Sequence, residues 1–325
     1  MTVVAAPFTA ADLEAAAAVV YDSFGPTPQY AWPLLADRVG ARVVVKHENH
    51  TPTGAFKVRG GLVFLERLRR ERPDVPGVVS ATRGNHGQSL AYAGRRYGIP
   101  VTIVVPYGNS SEKNAAMRAL GATLVEHGDD FDEARAHAAE LADSRELEFA
   151  PSFAPDLVLG VATYAWELFR AEPGLEVVYV PIGLGSGICG VLGVRDVLGL
   201  PCEVVGVQST GAPAYALSFE AGRVVTTDHA TTHADGMATR VPDPVAFETI
   251  RAGVARIVTV DDDQVATAVR ALWTDTHNLA EGAGAAGLAA IVAERDALAG
   301  RTVATVLTGG NIDLALFRSW VLDGS

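Results

Sequence analysis

An α/β fold built on parallel, helix-covered sheets is predicted by three features of the chain. Short β-branched runs alternate with glycine-containing turns and helical stretches from Gly77 to Ala142, and strands recur with helices between them from Glu176 to Leu307; this is the pattern of strands joined by crossover helices. The 325 residues are 49% hydrophobic and 20% charged, enough for a large core in one elaborate domain or two. Three of the expected strands run into polar, glycine-rich loops, and the carboxyl end of a parallel strand is where such sheets bind ligands.

In chain order, Asp12 to Phe24 reads as a helix, and Gly25 to Pro33 as a proline-punctuated connection. Arg42 to Lys46 is a short strand. Turn and cap residues Thr51 to Gly54 then open a helix from Ala55 to Arg70. Strand–helix units follow: Gly77–Ala81 into Gln88–Tyr97, Val101–Pro106 into Ser111–Leu120, and Ala122–Glu126 into Phe131–Ala142. Pro151 to Pro155 reads as a crossing between subdomains. Strands are expected at Glu176–Pro181, Glu203–Gln208, Arg256–Val260 and Thr302–Leu307, with helices at Ser186–Leu198, Asp263–His277 and Ala283–Leu298. Asp261 to Asp263 is an acidic helix cap. Gly222 to Pro244 is the longest irregular stretch, the kind of loop that serves as a lid or substrate loop.

Charge and composition narrow the partners. With 26 Lys+Arg against 38 Asp+Glu the net charge is −12, and the one basic cluster, ERLRRER at Glu66–Arg72, is the solvated end of a helix, so nucleic acid is not expected. Two cysteines, Cys189 and Cys202, and an N-terminus without a charged n-region and apolar h-region point to a cytoplasmic protein. No apolar run reaches the ~18 residues of a membrane span.

The chemistry gathers in four stretches. HTPTGAFKVRGG, from His50 to Gly61, sets Lys57 in the first turn of a largely apolar helix. Burial there lowers an amine's pKa and frees the neutral form that a Schiff-base lysine needs, whereas an ordinary lysine snorkels out at a helix start. SATRGNHGQ, from Ser80 to Gln88, presents helix-start amides and the side chains of Thr82 and Asn85 to a carboxylate. VPIGLGSGICGV, from Val180 to Val191, can converge backbone N–H groups on a phosphate, with the Ser186 hydroxyl beside them, or is a glycine-rich tight turn without a ligand. Its Gly183, Gly185 and Gly187 are spaced G-x-G-x-G, and no ribose-binding acid follows, because Glu203 lies within the next strand. VLTGGNID, from Val306 to Asp313, places the Thr308 hydroxyl where it can meet a ring nitrogen, or is a turn without a ligand.

Taken together, TGAFKVRGG, GNHGQSLAYA, PIGLGSGICG and TGGN resemble the threonine and serine dehydratase family of fold type II pyridoxal 5′-phosphate enzymes, which includes serine racemase. The likeness runs from about Lys46 to Asn311. It implies a tryptophan synthase β-like architecture of two parallel-sheet domains: a large one from residues 1–74 and 153–325, and a small one, 75–152, inserted into it, with the cofactor in the cleft. It implies that Lys57 carries the cofactor as a Schiff base and that Asn85 faces its phenolic oxygen. Gly183, Leu184, Gly185, Ser186 and Gly187 hold the phosphate, Thr308 meets the pyridine nitrogen, and Glu281 of AEGAGAAG lies close to the ring. Ser80, Thr82 and His86 lie near the substrate carboxylate, and Asp235 belongs to a loop near the substrate.

Departures from the family pattern carry information too. Arg83 stands where serine racemases have a serine acting as second acid/base, which speaks against racemisation; it pairs with a carboxylate or polar tail of a larger substrate, or forms a structural ion pair. The GLGSG loop resembles a subgroup of phenylserine and hydroxyectoine-utilisation dehydratases. Gln208 and the following STGAPA supply no carboxylate where relatives bind a divalent cation, so no metal site is expected. His229, His233 and Asp235 lack a fourth ligand. The chain ends soon after TGGN, leaving no room for a C-terminal regulatory domain.

The expected function is dehydration and deamination of a β-hydroxy amino acid to a 2-oxo acid and ammonia, by a homodimer. The alternatives are an amino-acid racemase, a catalytically silent pyridoxal phosphate protein, and cofactor-free nucleophilic catalysis by Ser80 and His86.

Overall fold

Ten strands build two sheets in a computed structural model that describes residues 7–324. Residues 1–6 and 325 of the domain boundaries above lie outside the described residues. The larger sheet contains β1 (Gln29–Ala31), β2 (Arg42–His47), β7 (Val177–Pro181), β8 (Glu203–Ser209), β9 (Arg256–Val260) and β10 (Thr302–Leu307), in the order β1-β2-β10-β7-β8-β9. All neighbours run parallel except the three-residue edge strand β1. The smaller sheet is wholly parallel, in the order β5-β4-β3-β6, from β3 (Val78–Ala81), β4 (Val101–Val105), β5 (Thr123–Glu126) and β6 (Glu148–Phe149).

The helices are α1 (Ala10–Tyr21), α2 (Pro33–Val39), α3 (Lys57–Glu71), α4 (Asn85–Tyr97), α5 (Ser111–Ala119), α6 (Phe131–Ser144), α7 (Pro155–Ala171), α8 (Ser186–Val197), α9 (Ala214–Ala221), α10 (Pro244–Gly253), α11 (Asp262–Thr276) and α12 (Gly282–Ala293), with the short α13 (Arg295–Leu298) and α14 (Leu314–Leu316) after them. Helices cover both faces of the large sheet, whose side chains alternate across each strand, while α4, α5 and α6 pack on the smaller sheet. Val43, Val45, Val177, Tyr179, Val205 and Val303 point to one layer, with Leu35, Val269 and Leu288. Val44, Val178, Val180, Val204 and Val306 point to the other, with Leu13, Phe169 and Ile188. Helix α3 puts Val58, Leu62 and Leu65 into the core that β3, β4 and α4 share, so the lysine-bearing helix is packed against the smaller sheet. Asp261 caps α11 in a reciprocal capping box with Gln264.

Among the helices not anticipated, four begin at a proline or directly after one. Pro33, Pro155 and Pro244 open α2, α7 and α10, and Pro213 precedes α9. Proline was read as a breaker, yet at the first helical position its missing N–H costs nothing and its fixed φ is already helical. Strand β1 lies inside the expected connection for a related reason: an edge strand tolerates neighbouring prolines. The irregular stretch 222–243 is observed, with a single 3-10 turn at Asp235–Met237.

Candidate active site

Three adjacent strands settle the geometry. In the order β2-β10-β7, parallel register sets Leu307 opposite His47 and Thr305 opposite Tyr179. Neighbouring strands lie about 4.8 Å apart, so the loops after them form one rim, bringing together stretches more than a hundred residues apart in sequence. The loop after β2 leads to Lys57, the loop after β10 begins at Thr308, and the loop after β7 holds Gly183 to Ser186. The Phe56 N–H donates to the Thr308 carbonyl at 2.9 Å, and Gly310 N–H to the Gly54 carbonyl at 2.9 Å, which locks the first two loops to each other.

Lys57 opens α3, and its amine lies 3.4 Å from the Ser186 hydroxyl at the start of α8. Burial pulls its pKa down to about 8. Its backbone carbonyl accepts from the Ser89 hydroxyl at 2.6 Å, which ties the lysine to α4. Ser89 was not anticipated, since only the fold brings α4 beside α3.

The glycine loop is shaped by backbone need. Gly185 caps α8 at φ +105°, a conformation costly for residues with a Cβ. A Cβ on Gly183 would lie 2.2 Å from the Gly236 carbonyl oxygen. The Tyr215 hydroxyl donates to the Leu184 carbonyl at 2.9 Å and the Tyr164 hydroxyl to the Gly187 carbonyl at 3.1 Å. With loop carbonyls occupied from behind, the N–H groups at the start of α8 remain as an anion cradle.

From the smaller sheet, the loop after β3 faces this rim. Asn85 opens α4; its amide donates to Glu281 Oε1 at 2.7 Å, and its Oδ1 accepts from Asn311 Nδ2 at 2.8 Å. Glu281 is buried and its Oε2 has no partner. Burial, and then the charge of Asp235, push it up to about 7 against Lys113 and Asn85. Thr308 is buried with no side-chain hydrogen bond to another described residue. His86 is pushed down to about 3 by burial and then by Lys57, against the opposing effect of the Ala150 and Pro151 carbonyls, and its Nε2 has no partner. The Ser80 hydroxyl donates to the Ala150 carbonyl at 2.7 Å, and the Thr82 hydroxyl accepts from Gly84 N–H at 3.2 Å. Ser80 and His86 therefore do not pair as nucleophile and base.

Among the described residues Arg83 makes no ion pair, and only its carbonyl is engaged, by Asn109 Nδ2 at 3.3 Å. Asp235 bonds Lys113 at 2.5 Å. Burial lowers and these carboxylates raise the Lys113 pKa, with a net rise. Arg240 reaches Asp132 at 2.5 Å, so the 222–243 segment is clasped to the smaller sheet's helices twice. Gln208 is buried, its Oε1 accepting from Ala216 N–H at 2.8 Å. His233 packs on Trp320. Among the described residues no three His, Cys, Asp or Glu side chains are grouped to hold a metal ion.

A second cluster went unforeseen. Fully buried Arg59 bonds Glu48 at 2.7 Å and Glu167 at 2.7 Å, and Lys46 bonds Glu167 at 2.6 Å. Glu167 lies on α7, one of the helices that open at a proline.

These residues fit pyridoxal phosphate: an amine with lowered pKa, an amide cradle for phosphate, a free buried hydroxyl at Thr308, and orphaned polar atoms on Glu281 and His86. Residues 20–309 match the family described as pyridoxal-phosphate dependent enzyme. The chain is 35% identical over 282 residues to an L-threonine ammonia-lyase of Thermotoga maritima, spanning 86% of this chain and 70% of that protein. It is 31% identical over 303 residues to a biosynthetic L-threonine dehydratase of Pasteurella multocida, spanning 92% of this chain and 59% of that protein. The structure of processed threonine deaminase isoform 2 from Solanum lycopersicum superposes with a TM-score of 0.89 at 28% identity, covering 98% and 95% of the two chains. A pyridoxal 5′-phosphate-dependent aspartate racemase also superposes, with a TM-score of 0.89 at 26% identity, covering 94% and 97%. No helix among the described residues is long and apolar enough to cross a membrane. With its lysine, its glycine cradle and these matches, the chain belongs to the pyridoxal-phosphate-dependent enzymes of the threonine dehydratase and ammonia-lyase family, with two parallel α/β sheets.

Proposed function

We propose that this chain is a β-hydroxy amino acid ammonia-lyase, converting threonine, serine or a bulkier analogue to a 2-oxo acid and ammonia. The carrying observation is the Lys57 amine, with a pKa of about 8, held 3.4 Å from Ser186 at the mouth of the amide cradle. When bound, pyridoxal phosphate supplies an electron sink that acidifies the substrate's Cα–H bond.

The residues divide the remaining work. Lys57 would hold the cofactor, and its amine, with a pKa lowered to about 8 by burial, is the base suited to take a proton from the substrate's Cα. The N–H groups from Gly183 to Gly187, with the Ser186 hydroxyl, hold the phosphate. Buried Thr308 would meet the ring nitrogen with a hydroxyl where a carboxylate partner would instead hold a proton on it. Asn85, oriented by Glu281 and Asn311, would be the residue to contact the phenolic oxygen. The N–H groups at the start of α4, flanked by Ser80, Thr82 and His86, take the substrate carboxylate; neutral His86 keeps Nε2 as an acceptor. Asp235 and Lys113 close the entrance. Water lost across Cα–Cβ is regained on hydrolysis, so the net products are the 2-oxo acid and ammonia.

The same reading takes 75–152 as a small α/β unit inserted into the large one of 1–74 and 153–325. It places a homodimer in the cytoplasm, in amino-acid breakdown, within the phenylserine-like subgroup. The test is an absorption spectrum of purified protein, followed by 2-oxo acid detection with serine, threonine, phenylserine and 3-hydroxyaspartate. A visible band and 2-oxo acid are expected, both lost in Lys57→Ala. A colourless protein that pyridoxal phosphate does not reconstitute overturns the proposal.

A further inference from the structure

We infer that Arg83 determines specificity by binding a second carboxylate on the substrate, so that the preferred substrate is an acidic β-hydroxy amino acid. This rests on the ammonia-lyase reading and adds a substrate class to it.

The argument begins with an unmatched charge. A cavity of about 210 Å³ opens at the rim, lined in part by Arg83, Ser110, Lys113, Asp235, Glu281 and Asp313. Each carboxylate there has a partner, Asp235 in Lys113 at 2.5 Å, Asp313 in the Ser110 hydroxyl at 2.7 Å, and Glu281 in the Asn85 amide at 2.7 Å through Oε1, with only its Oε2 unmatched. Lys113 is engaged in turn. Arg83 alone brings a charged group to this cavity with no side-chain partner among the described residues.

Its backbone, by contrast, is fixed. The Arg83 carbonyl accepts from Asn109 Nδ2, and that amide is also held by Asn114 at 2.7 Å. Arg83 also sits directly between Thr82 and the Gly84 cap of α4, next to the helix-start amides that take the α-carboxylate. A substrate held there by one carboxylate has its far end at the entrance, where a planar guanidinium offers paired donors to a second carboxylate. A neutral side chain such as that of threonine gives Arg83 nothing to bond.

Two measurements on the holoenzyme test this. In the first, kcat/KM is compared for 3-hydroxyaspartate and threonine in wild type, Arg83→Gln and Arg83→Lys. The wild type is expected to favour 3-hydroxyaspartate, and Arg83→Gln to lower that ratio roughly 10- to 100-fold, the range of a charge-assisted hydrogen bond. The loss is carried by KM, and Arg83→Lys retains part of the preference. In the second, succinate and butyrate, alike in length but differing by one carboxylate, are titrated calorimetrically. Wild type is expected to bind succinate at least about tenfold more tightly, and Arg83→Gln to lose that margin. A wild type with no preference for the second carboxylate, or an Arg83→Gln variant that keeps it, overturns the inference. Because the calorimetric comparison needs no turnover, it remains decisive if the enzyme eliminates nothing, an outcome that counts against the ammonia-lyase reading alone.

Discussion

Replacing Arg59 by methionine is the sharpest test of how the lysine-bearing helix is held. Arg59 is fully buried two residues beyond Lys57 and donates to Glu48, Glu167, Thr163 and Thr27. Methionine fills much of its volume but donates nothing. Glu167 keeps Lys46 at 2.6 Å, whereas Glu48 is left with only the Thr27 hydroxyl at 2.6 Å. The cost is therefore that of one uncompensated buried carboxylate, about 3–5 kcal/mol. An unfolding entropy of roughly 2.1 cal/mol/K per residue gives about 0.7 kcal/mol/K for this length, so the expected fall in Tm is about 4–7 °C. Calorimetric melts at pH 7 measure it. Adding Glu48→Gln to Arg59→Met should recover a part, because the stranded charge is then gone. A Tm within about 2 °C of wild type, or no recovery in the double variant, refutes the reasoning. Acid supplies a second check. Burial alone would raise the Glu167 pKa, but Arg59 and Lys46 outweigh it and hold it below the usual carboxylate range. Its stabilising contribution is thus complete above the unfolded value near 4.5 and is lost as pH falls through the depressed folded value. That acid loss should shrink in Arg59→Met.

Three further outcomes are expected. Capture of pyridoxal phosphate by cofactor-free protein should accelerate with pH and level off above about 8, where Lys57 becomes neutral; acceleration continuing to pH 10 contradicts its lowered pKa. Gly183→Ala forces a methyl to 2.2 Å from the Gly236 oxygen, so the 235–237 turn must move, and spectrophotometric titration should show cofactor affinity reduced by about 10- to 100-fold; unchanged affinity counts against the cradle. Glu281→Gln keeps the acceptor for Asn85 but removes a group whose folded pKa is raised to about 7. Wild-type stability from that protonated group is full below about 4.5 and is lost as pH rises through 7, so urea melts of cofactor-free protein should show the variant gaining on wild type between pH 5 and 8, by up to roughly 3 kcal/mol. Parallel pH curves would remove Glu281 from the account.

What the sequence by itself determined is local: alternating β-branched and helical stretches with the correct period, the glycine-rich junctions, the acidic cap at Asp261, and Lys57 in a turn hostile to its charge. These are legible because period, turn chemistry and capping act within a few residues of backbone. The four helices that begin at prolines were lost to a local rule applied without its positional exception. What only the tertiary structure decided is pairing. The order β2-β10-β7 puts Lys57, Thr308 and the glycine loop on one rim, and no local signal encodes which strands lie side by side. Asn85 meets Glu281 across 196 positions and Asn311 across 226, and Arg59 meets Glu167 across 108. The isolated residue type gave no hint that Arg59 is buried or that the side chain of Arg83, a more exposed arginine, has no partner among the described residues. Burial and partnership set the pKa values and charge balance of the site, and both are properties of the folded neighbourhood, not of the residue.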